Sequence, residues 1–168
     1  GAMLVKPHGH PGLNPRLVEE VERADRLLEA KTLKPIRMTS RELSDLLMFG
    51  MGAYTPLSGF MGEESWSKCC TDFTTDEGLF WPIPITLSVA EDVASGISIG
   101  EKVTLVDEKG TIYGTLKIDE KYSIDKALEC REVYKTLDPK HPGVEKVMAQ
   151  EPINLAGSVT VLNEGIYP

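Results

Sequence analysis

The sequence is short of the features that mark specialised classes of protein. It has only three cysteines, Cys69, Cys70 and Cys130, and no Cys-x-x-Cys or Cys/His spacing of the kind that holds zinc. Because the number is odd and adjacent cysteines rarely pair, we expect reduced thiols with mainly structural roles. No apolar run approaches the roughly 20 residues that cross a bilayer, and the N-terminus lacks the order of a signal peptide. These absences favour a cytoplasmic protein.

Positive charge is scarce as well. The chain has 18 lysines and arginines against 26 aspartates and glutamates, which gives a net charge of −8 at pH 7. A surface with this balance repels phosphate backbones and anionic lipids, so binding to nucleic acid or to membranes is disfavoured. The length and the remaining composition are typical of one globular domain, with 168 residues of which 41% are hydrophobic and 26% charged.

The N-terminal residues predict an arm and a first helix. Residues 1–3 (GAM) match the remnant of an expression tag, so we take residues 4–168 as the domain. Residues 6–15 are rich in proline, glycine and histidine, and we expect an arm that leads into a helix with Asn14 as its cap and Pro15 in its first turn. The apolar positions of this helix form one stripe, predicted to face the core, at Leu17, Val21, Ala24 and Leu28.

A second helix and a glycine-rich loop follow. Thr39 and Glu42 have the spacing of a capping box, ahead of a short helix that ends at Gly50. Residues 50–62 (GMGAYTPLSGFMG) place four glycines and a proline among large apolar side chains, which predicts a tightly turned loop packed inward. Residues 63–70 then predict one or two helical turns.

The rest of the chain predicts an antiparallel sheet. Strands are expected over residues 83–89, 103–106, 111–118 and 153–162, the middle two joined as a hairpin by a turn at residues 107–110. A helix is expected from Ser123, its cap, to Leu137, and a short one over residues 144–149. This order lacks the alternation of strand and crossover helix, so it predicts an α+β fold with a small antiparallel pseudo-barrel flanked by short helices. We place eight large side chains in the core: Leu43, Leu47, Phe60, Trp66, Ile85, Leu87, Leu105 and Leu116.

Candidate catalytic and metal-binding residues are few. His8 and His10 lie two residues apart without a third ligand nearby, so a packing role is favoured over a metal site. His141 stands at a helix boundary, where it can hydrogen-bond the last carbonyls of a helix or contact a substrate. Cys130 falls on an apolar helix face, which favours burial over nucleophilic catalysis.

Anion-binding features are equally weak. No phosphate-binding loop of a recognised type occurs. Four basic residues cluster modestly and predict at most a weak anion patch: Lys31, Lys34, Arg37 and Arg41. By itself the sequence therefore assigns no catalytic, cofactor-binding or metal-ligating residue.

Several stretches together resemble one enzyme family. They are Pro7-His8-Gly9, residues 50–62, residues 79–87 (LFWPIPITL), and residues 141–144 (HPGV) ahead of Leu155-Ala156-Gly157. The pattern is similar to the N-terminal domain of ATP sulfurylase, also called sulfate adenylyltransferase, and covers nearly all of the chain from Lys6. The resemblance implies a PUA-like fold, in agreement with the small barrel.

The resemblance also implies that the chemistry lies elsewhere. In that family a catalytic domain follows, which joins sulfate to the α-phosphate of MgATP and releases pyrophosphate. It carries a Gln-x-Arg-Asn motif and a His-x-x-His pair. Neither is present here, since the single glutamine, Gln150, is followed by Glu151-Pro152-Ile153. The family therefore implies a non-catalytic domain without a cofactor of its own, partnered by its catalytic domain and compatible with a homo-oligomer.

Two other interpretations stay open at this point. PUA-like folds also occur in RNA-binding modules, although the acidic charge disfavours one here, and a small enzyme or metal protein could use His8, His10 and Cys69. The direction of the parent reaction and the presence of a fused kinase domain are not indicated. If a catalytic domain packs on this one, the apolar residues 153–161 lead into it. We then expect the chain either to dimerise weakly or to expose a contiguous apolar surface near its C-terminus, with Glu164 and Tyr167 at its edge.

Overall fold

The structure is a computed structural model and describes residues 15–163. Its elements in chain order are α1 Glu20–Ala30, β1 Pro35–Arg37, α2 Ser40–Gly50, β2 Gly59–Phe60, α3 Glu63–Asp72, β3 Ser88–Val89, α4 Glu91–Ser95, β4 Lys102–Val106, β5 Ile112–Lys117, β6 Glu120–Ser123, α5 Lys126–Glu129, a π-helical turn Cys130–Tyr134, α6 Pro142–Ala149 and β7 Ile153–Val161. The predicted α+β class is confirmed. Within the described residues, no helix is both long and apolar enough to cross a membrane.

Seven strands form one mixed sheet centred on β7. The order is β1-β4-β5-β7-β2, and β3 and β6 also pair with β7. The first residues of β7 pair with β3 and β6, and the later ones pair with β2 and β5. The sheet curls into the half-barrel expected of a PUA-like fold. One pair departs from the antiparallel expectation, because β1 runs parallel to β4. With three residues, β1 is too short to show a sequence pattern.

The position of β7 overturns the expected C-terminal patch. Leu155, Val159 and Val161 are each at most 1% exposed, because neighbouring strands take up the hydrogen bonds of β7 and the core covers its apolar side chains. Residues 153–161 therefore do not form the expected exposed apolar surface, and the alternative outcome, weak dimerisation, stays a prediction. Glu164 and Tyr167, expected at its edge, lie outside the described residues.

The predicted hairpin is confirmed, with β4 and β5 joined by a turn in which Gly110 has φ +87°. The segment after it differs from expectation. Ser123 ends strand β6 instead of capping a helix, and Asp125 is the cap, with its carboxylate accepting from Leu128 N at 2.9 Å. The π-helical turn ends at Tyr134, and Lys135 after it has φ +60°, so the helix stops short of Leu137.

The loop over residues 50–62 packs inward as predicted, and one glycine in it is fixed by a close backbone approach. In β2, Gly59 pairs with Ser158 and Phe60 with Gly157. A Cβ on Gly59 would lie 1.8 Å from the carbonyl oxygen of Gly157. No side chain fits between β2 and β7 at this position.

Helix α2 has the predicted start and end but turns a different face inward. The capping box of Thr39 is present and the helix ends at Gly50. Its buried apolar side chains are Leu46 and Phe49, whereas Leu47 is only half-buried and lies outside the core cluster. Leu43 packs against the core from its edge. The other six predicted core residues are buried as expected: Phe60, Trp66, Ile85, Leu87, Leu105 and Leu116.

Helix α1 begins later than predicted and is rotated. Residues 15–19 are not helical, because the backbone there bonds to the end of β7, with Val18 N donating to Val161 O at 2.8 Å. The helix starts at Glu20, and the proposed cap Asn14 lies outside the described residues. Arg23, Leu27 and Ala30 form its packed face. The stripe predicted to face the core therefore faces outward from Val21 onward.

Candidate functional site

A polar cleft of about 500 Å³ lies between the N-terminus of α2 and the C-terminus of α6. The capping box builds one wall. The hydroxyl of Thr39 accepts from Glu42 N at 3.2 Å, and one carboxylate oxygen of Glu42 accepts from Thr39 N at 2.9 Å. Glu42 Oε2 accepts from Ser88 N at 2.8 Å, which ties α2 to β3. Burial raises the pKa of Glu42. This carboxyl is thus fully engaged as a structural group.

A second buried acid stands one turn further along α2. Asp45 accepts from the phenol of Tyr54 at 2.7 Å, and its other oxygen is 4.0 Å from Nε of Arg41. Burial raises the pKa of Asp45, and that of Tyr54 is raised by burial and by the carboxyl beside it. With the amide of Gln150 oriented so that its oxygen faces Arg41, that oxygen accepts from the two terminal guanidinium nitrogens at 3.0 and 3.3 Å.

Arg41, which lines the cleft, and Lys34, which lies outside it, already have partners in the chain. Arg41 faces Asp45 and Gln150, and Lys34 lies 3.4 Å from Glu101. Two members of the predicted anion patch are therefore committed to groups of the chain itself. The cleft is lined by basic residues and also by three carboxylates, those of Glu42, Glu108 and Glu151. An arrangement of this kind is poorly suited to gather a polyanionic substrate.

A third buried acid lies on a different helix, α5. Glu129 ends α5, and one of its oxygens accepts from the indole nitrogen of Trp66 at 2.7 Å. Burial raises the pKa of Glu129. The bond joins α3 to α5 directly before the π-helical turn. No sequence pattern indicated that this glutamate is buried.

The three cysteines are free, as predicted, and all three are buried, as was expected for Cys130. Burial raises the pKa of the Cys69 thiol to about 12 and raises that of Cys70 further. A cysteine nucleophile needs the thiolate, whereas burial here favours the thiol form. Cys130 is completely buried in a small cluster with Val144 and Val147.

The histidine that the structure describes has a structural role. Nδ1 of His141 accepts from Gly143 N at 3.0 Å and so caps the start of α6, not the end of a helix as expected. Its ring centroid lies 5.0 Å from that of Tyr134. His8 and His10 lie outside the described residues. Among residues 15–163, no group of three potential ligands is placed to hold a metal ion.

The apolar stripe of α1 lies on the outer face of the helix, whereas the sequence predicts that it faces the core. Val21 is 87% exposed and Leu28 is 63% exposed, and Ala24 between them is also exposed. We call these three residues the outer stripe. The amphipathic period was visible in the sequence, but the face that packs runs through Arg23, which donates from Nε to Leu162 O at 2.7 Å.

Comparison with known proteins gives concordant results. The model of the PUA-like domain family matches residues 5–164. The chain is 51% identical over 167 residues to a sulfate adenylyltransferase of Chlorobaculum tepidum and 52% identical over 168 residues to one of Syntrophobacter fumaroxidans, covering 98% of this chain and 41% of each relative. A sulfate adenylyltransferase of Entamoeba histolytica is 46% identical over 170 residues, 98% of this chain and 40% of the relative.

A solved structure supports the fold. A hexameric APS kinase from Thiobacillus denitrificans matches with a TM-score of 0.72 and 24% identity, over 98% of this chain and 28% of that one. At this identity the likeness concerns the fold alone. The chain spans about two fifths of the length of the curated relatives that it matches.

Proposed function

The chain belongs to the PUA-like domain family, and from the relatives it matches we propose that residues 4–168 are the N-terminal, non-catalytic domain of a sulfate adenylyltransferase. One observation carries this proposal. Nearly the whole chain is about half identical to enzymes of that name while covering about 41% of each, in their N-terminal part.

The proposed parent protein transfers the adenylyl group of MgATP to sulfate. An oxygen of sulfate bonds to the α-phosphorus, the bond from that phosphorus to the bridging oxygen breaks, and adenosine 5′-phosphosulfate and pyrophosphate are the products; the reverse reaction makes ATP. Because the reaction uses ATP, we place the parent protein in the cytoplasm. The parent binds MgATP, and this domain has no cofactor of its own.

The chemistry of the described residues supports a non-catalytic role. Adenylyl transfer brings two anions together and requires positive charge and oriented donors around the phosphorus. Here Arg41 and Lys34 face carboxylates of the chain itself, and the cysteines are held as thiols. The three buried acids bond to Thr39, Ser88, Tyr54 and Trp66 and so join elements of the scaffold.

The proposed role of the domain is a scaffold for its catalytic partner. The principal partner is the catalytic domain of the same polypeptide, and a homo-oligomer of the parent is compatible with this role. Nucleic acid is not among the proposed partners because the net charge is −8.

A pyrophosphate-release assay tests the proposal. The 168-residue chain and the intact gene product are each given MgATP with and without sulfate, and the reverse direction is assayed with adenosine 5′-phosphosulfate and pyrophosphate. We expect sulfate-dependent turnover from the intact protein and none from the 168-residue chain. Turnover by the purified short chain, near an ordinary enzyme rate of ~10 per second, would show that the domain is itself catalytic. An intact protein inactive in both directions would overturn the assignment to this enzyme.

A further inference from the structure

Helix α6 is capped by a histidine, the side chain whose charge ordinarily changes between pH 5 and pH 8. We propose that His141 is a pH-sensitive cap, which holds the start of α6 when its imidazole is neutral and releases it when the imidazole takes up a proton. Because Ala149 and Gln150 at the other end of α6 line the candidate cleft, acidification then loosens one wall of that cleft. This device belongs to the domain itself and does not depend on the proposed function.

The cap bond requires an unprotonated ring nitrogen. Nδ1 of His141 accepts from Gly143 N at 3.0 Å, so this nitrogen presents its lone pair and the neutral ring carries its proton on Nε2. In the imidazolium both ring nitrogens are donors, and neither can accept from Gly143 N. Protonation therefore breaks the bond and leaves two N–H groups facing each other.

The place of the ring at the helix start adds an effect of the same sign. The free N–H groups of a first turn give the N-terminus of a helix a partial positive charge. In α6, Pro142 has no N–H and Glu145 N donates to His141 O, so the first-turn donors left for a cap are those of Gly143 and Val144. The cap bond serves one of them, and an imidazolium in its place would be repelled by this end of the helix.

Aromatic packing fixes the ring in its position. The centroid of the His141 ring lies 5.0 Å from that of Tyr134, at the end of the π-helical turn. Gly143 passes so close to the same tyrosine that a Cβ on it would overlap the ring carbons Cδ1, Cε1 and Cζ. The histidine, the glycine and the tyrosine therefore form one packed unit, and loss of the cap bond disturbs the contact between the π-helical turn and α6.

The charged and titratable groups around the cap do not replace it. They are Glu129, Cys130, Tyr134, Asp138, Lys140 and Glu145. The carboxylate of Asp138 accepts from Lys140 N at 2.9 Å, and the side chains of Asp138, Lys140 and Glu145 are exposed to water, which screens their charges. Among residues 15–163, none of the ion pairs includes His141. No carboxylate therefore holds the imidazole in its charged form.

The cap matters because α6 is short. Its eight residues bury Val144 and Val147, and at its other end the carbonyl oxygen of Gln150 accepts from Nζ of Lys126. A helix of this length is not stable in water by itself, so its protection from exchange depends on these few contacts and on the cap. The side chain of Gln150 also faces Arg41 of α2, which carries the loosening of α6 into the cleft.

Amide hydrogen exchange in the 168-residue chain tests the proposal. Exchange over residues 144–149 is measured at pH 7.5 and at pH 5.5, and each rate is divided by the rate of an unstructured peptide at the same pH. His141→Asn is the matched control, because an asparagine caps through an amide oxygen that does not titrate in this range. We expect the protection of wild-type α6 to fall about fivefold at the lower pH and that of the asparagine variant to stay constant. His141→Ala should lack this protection at both pH values.

Two further measurements make the test independent of any one variant. Protection of the β4–β5 hairpin, residues 102–117, reports whether each variant is folded. The ¹⁵N shifts of the wild-type imidazole at pH 7.5 report its tautomer, and we expect the proton on Nε2 of His141.

Three results would overturn the proposal. The first is equal protection of wild-type α6 at the two pH values. The second is a fall of the same size in the asparagine variant, because it would assign the effect to another group, such as the buried Glu129. The third is a wild-type imidazole that carries its proton on Nδ1 at pH 7.5. The pyrophosphate-release assay decides the proposed function separately, so failure of one can be told from failure of the other.

Discussion

Replacement of Gly59 by alanine tests the closest contact in the sheet. The new Cβ would lie 1.8 Å from the carbonyl oxygen of Gly157 and 2.9 Å from Cα of Ser158, and both are backbone atoms of the central strand. Because β7 is also held by β3, β5 and β6, it cannot move aside, and β2 must separate from it. The separation weakens the bond from Val159 N to Ser58 O and exposes part of Phe60, which is 3% exposed in the wild type.

The expected cost follows from these losses. One or two backbone hydrogen bonds contribute about 1 kcal/mol each, and burial of a phenylalanine contributes about 1.5–3 kcal/mol. We expect Gly59→Ala to lower the free energy of unfolding by about 3 kcal/mol, measured by urea denaturation. Gly96→Ala is the control, since Gly96 has φ −84° and its Cβ would meet atoms no closer than 3.5 Å. Its effect should stay within about 0.5–1 kcal/mol of zero. A Gly59 variant as stable as the control would refute the close approach of β2 and β7.

Four further substitutions test the packing and the buried acids. Leu46→Ala should cost about 2–5 kcal/mol and Leu47→Ala clearly less, because only Leu46 is fully buried; equal shifts of the denaturation midpoint would contradict the face assigned to α2. Tyr54→Phe should cost about 1.5–3 kcal/mol, because it removes the donor to Asp45; a neutral effect in thermal unfolding would show that this bond contributes nothing. The fold raises the pKa of Glu129 by burial, so the stability that this carboxyl contributes is present below pH 4.5 and is lost as the pH rises through its folded pKa. Glu129→Gln should therefore gain stability relative to wild type between pH 4 and pH 7, and a difference that does not change with pH would contradict the burial of the charge.

Local signals were sufficient to predict several elements. The capping box at Thr39 and Glu42 placed the start of α2, and Gly110 placed the β4–β5 turn, because both depend on residues close in sequence. The glycine-rich loop was predicted to pack inward, but its partner strand was not. The contact between Gly59 and Gly157 joins residues almost 100 positions apart, which one sequence cannot reveal.

The errors arose where long-range contacts override local pattern. Residues 16–18 bond to the end of β7 and delay the start of α1, and the packed face of the helix then runs through Arg23. In α2 the buried face includes Glu42 and Asp45, so an analysis based on apolar spacing selected the wrong leucine. Each of these acids also needs a partner from another element, Ser88 for Glu42 and Tyr54 for Asp45, which is why the candidate cleft could not be predicted.

The central claim is that this chain is the first domain of a sulfate adenylyltransferase whose catalytic residues lie downstream. Determination of the coding sequence beyond residue 168 tests it most directly. We expect the reading frame to continue through a domain that contains a Gln-x-Arg-Asn motif and a His-x-x-His pair, in a protein about two and a half times the length of this chain, as the 41% coverage of the relatives implies. A stop codon soon after residue 168, or a following domain without both motifs, would contradict the claim.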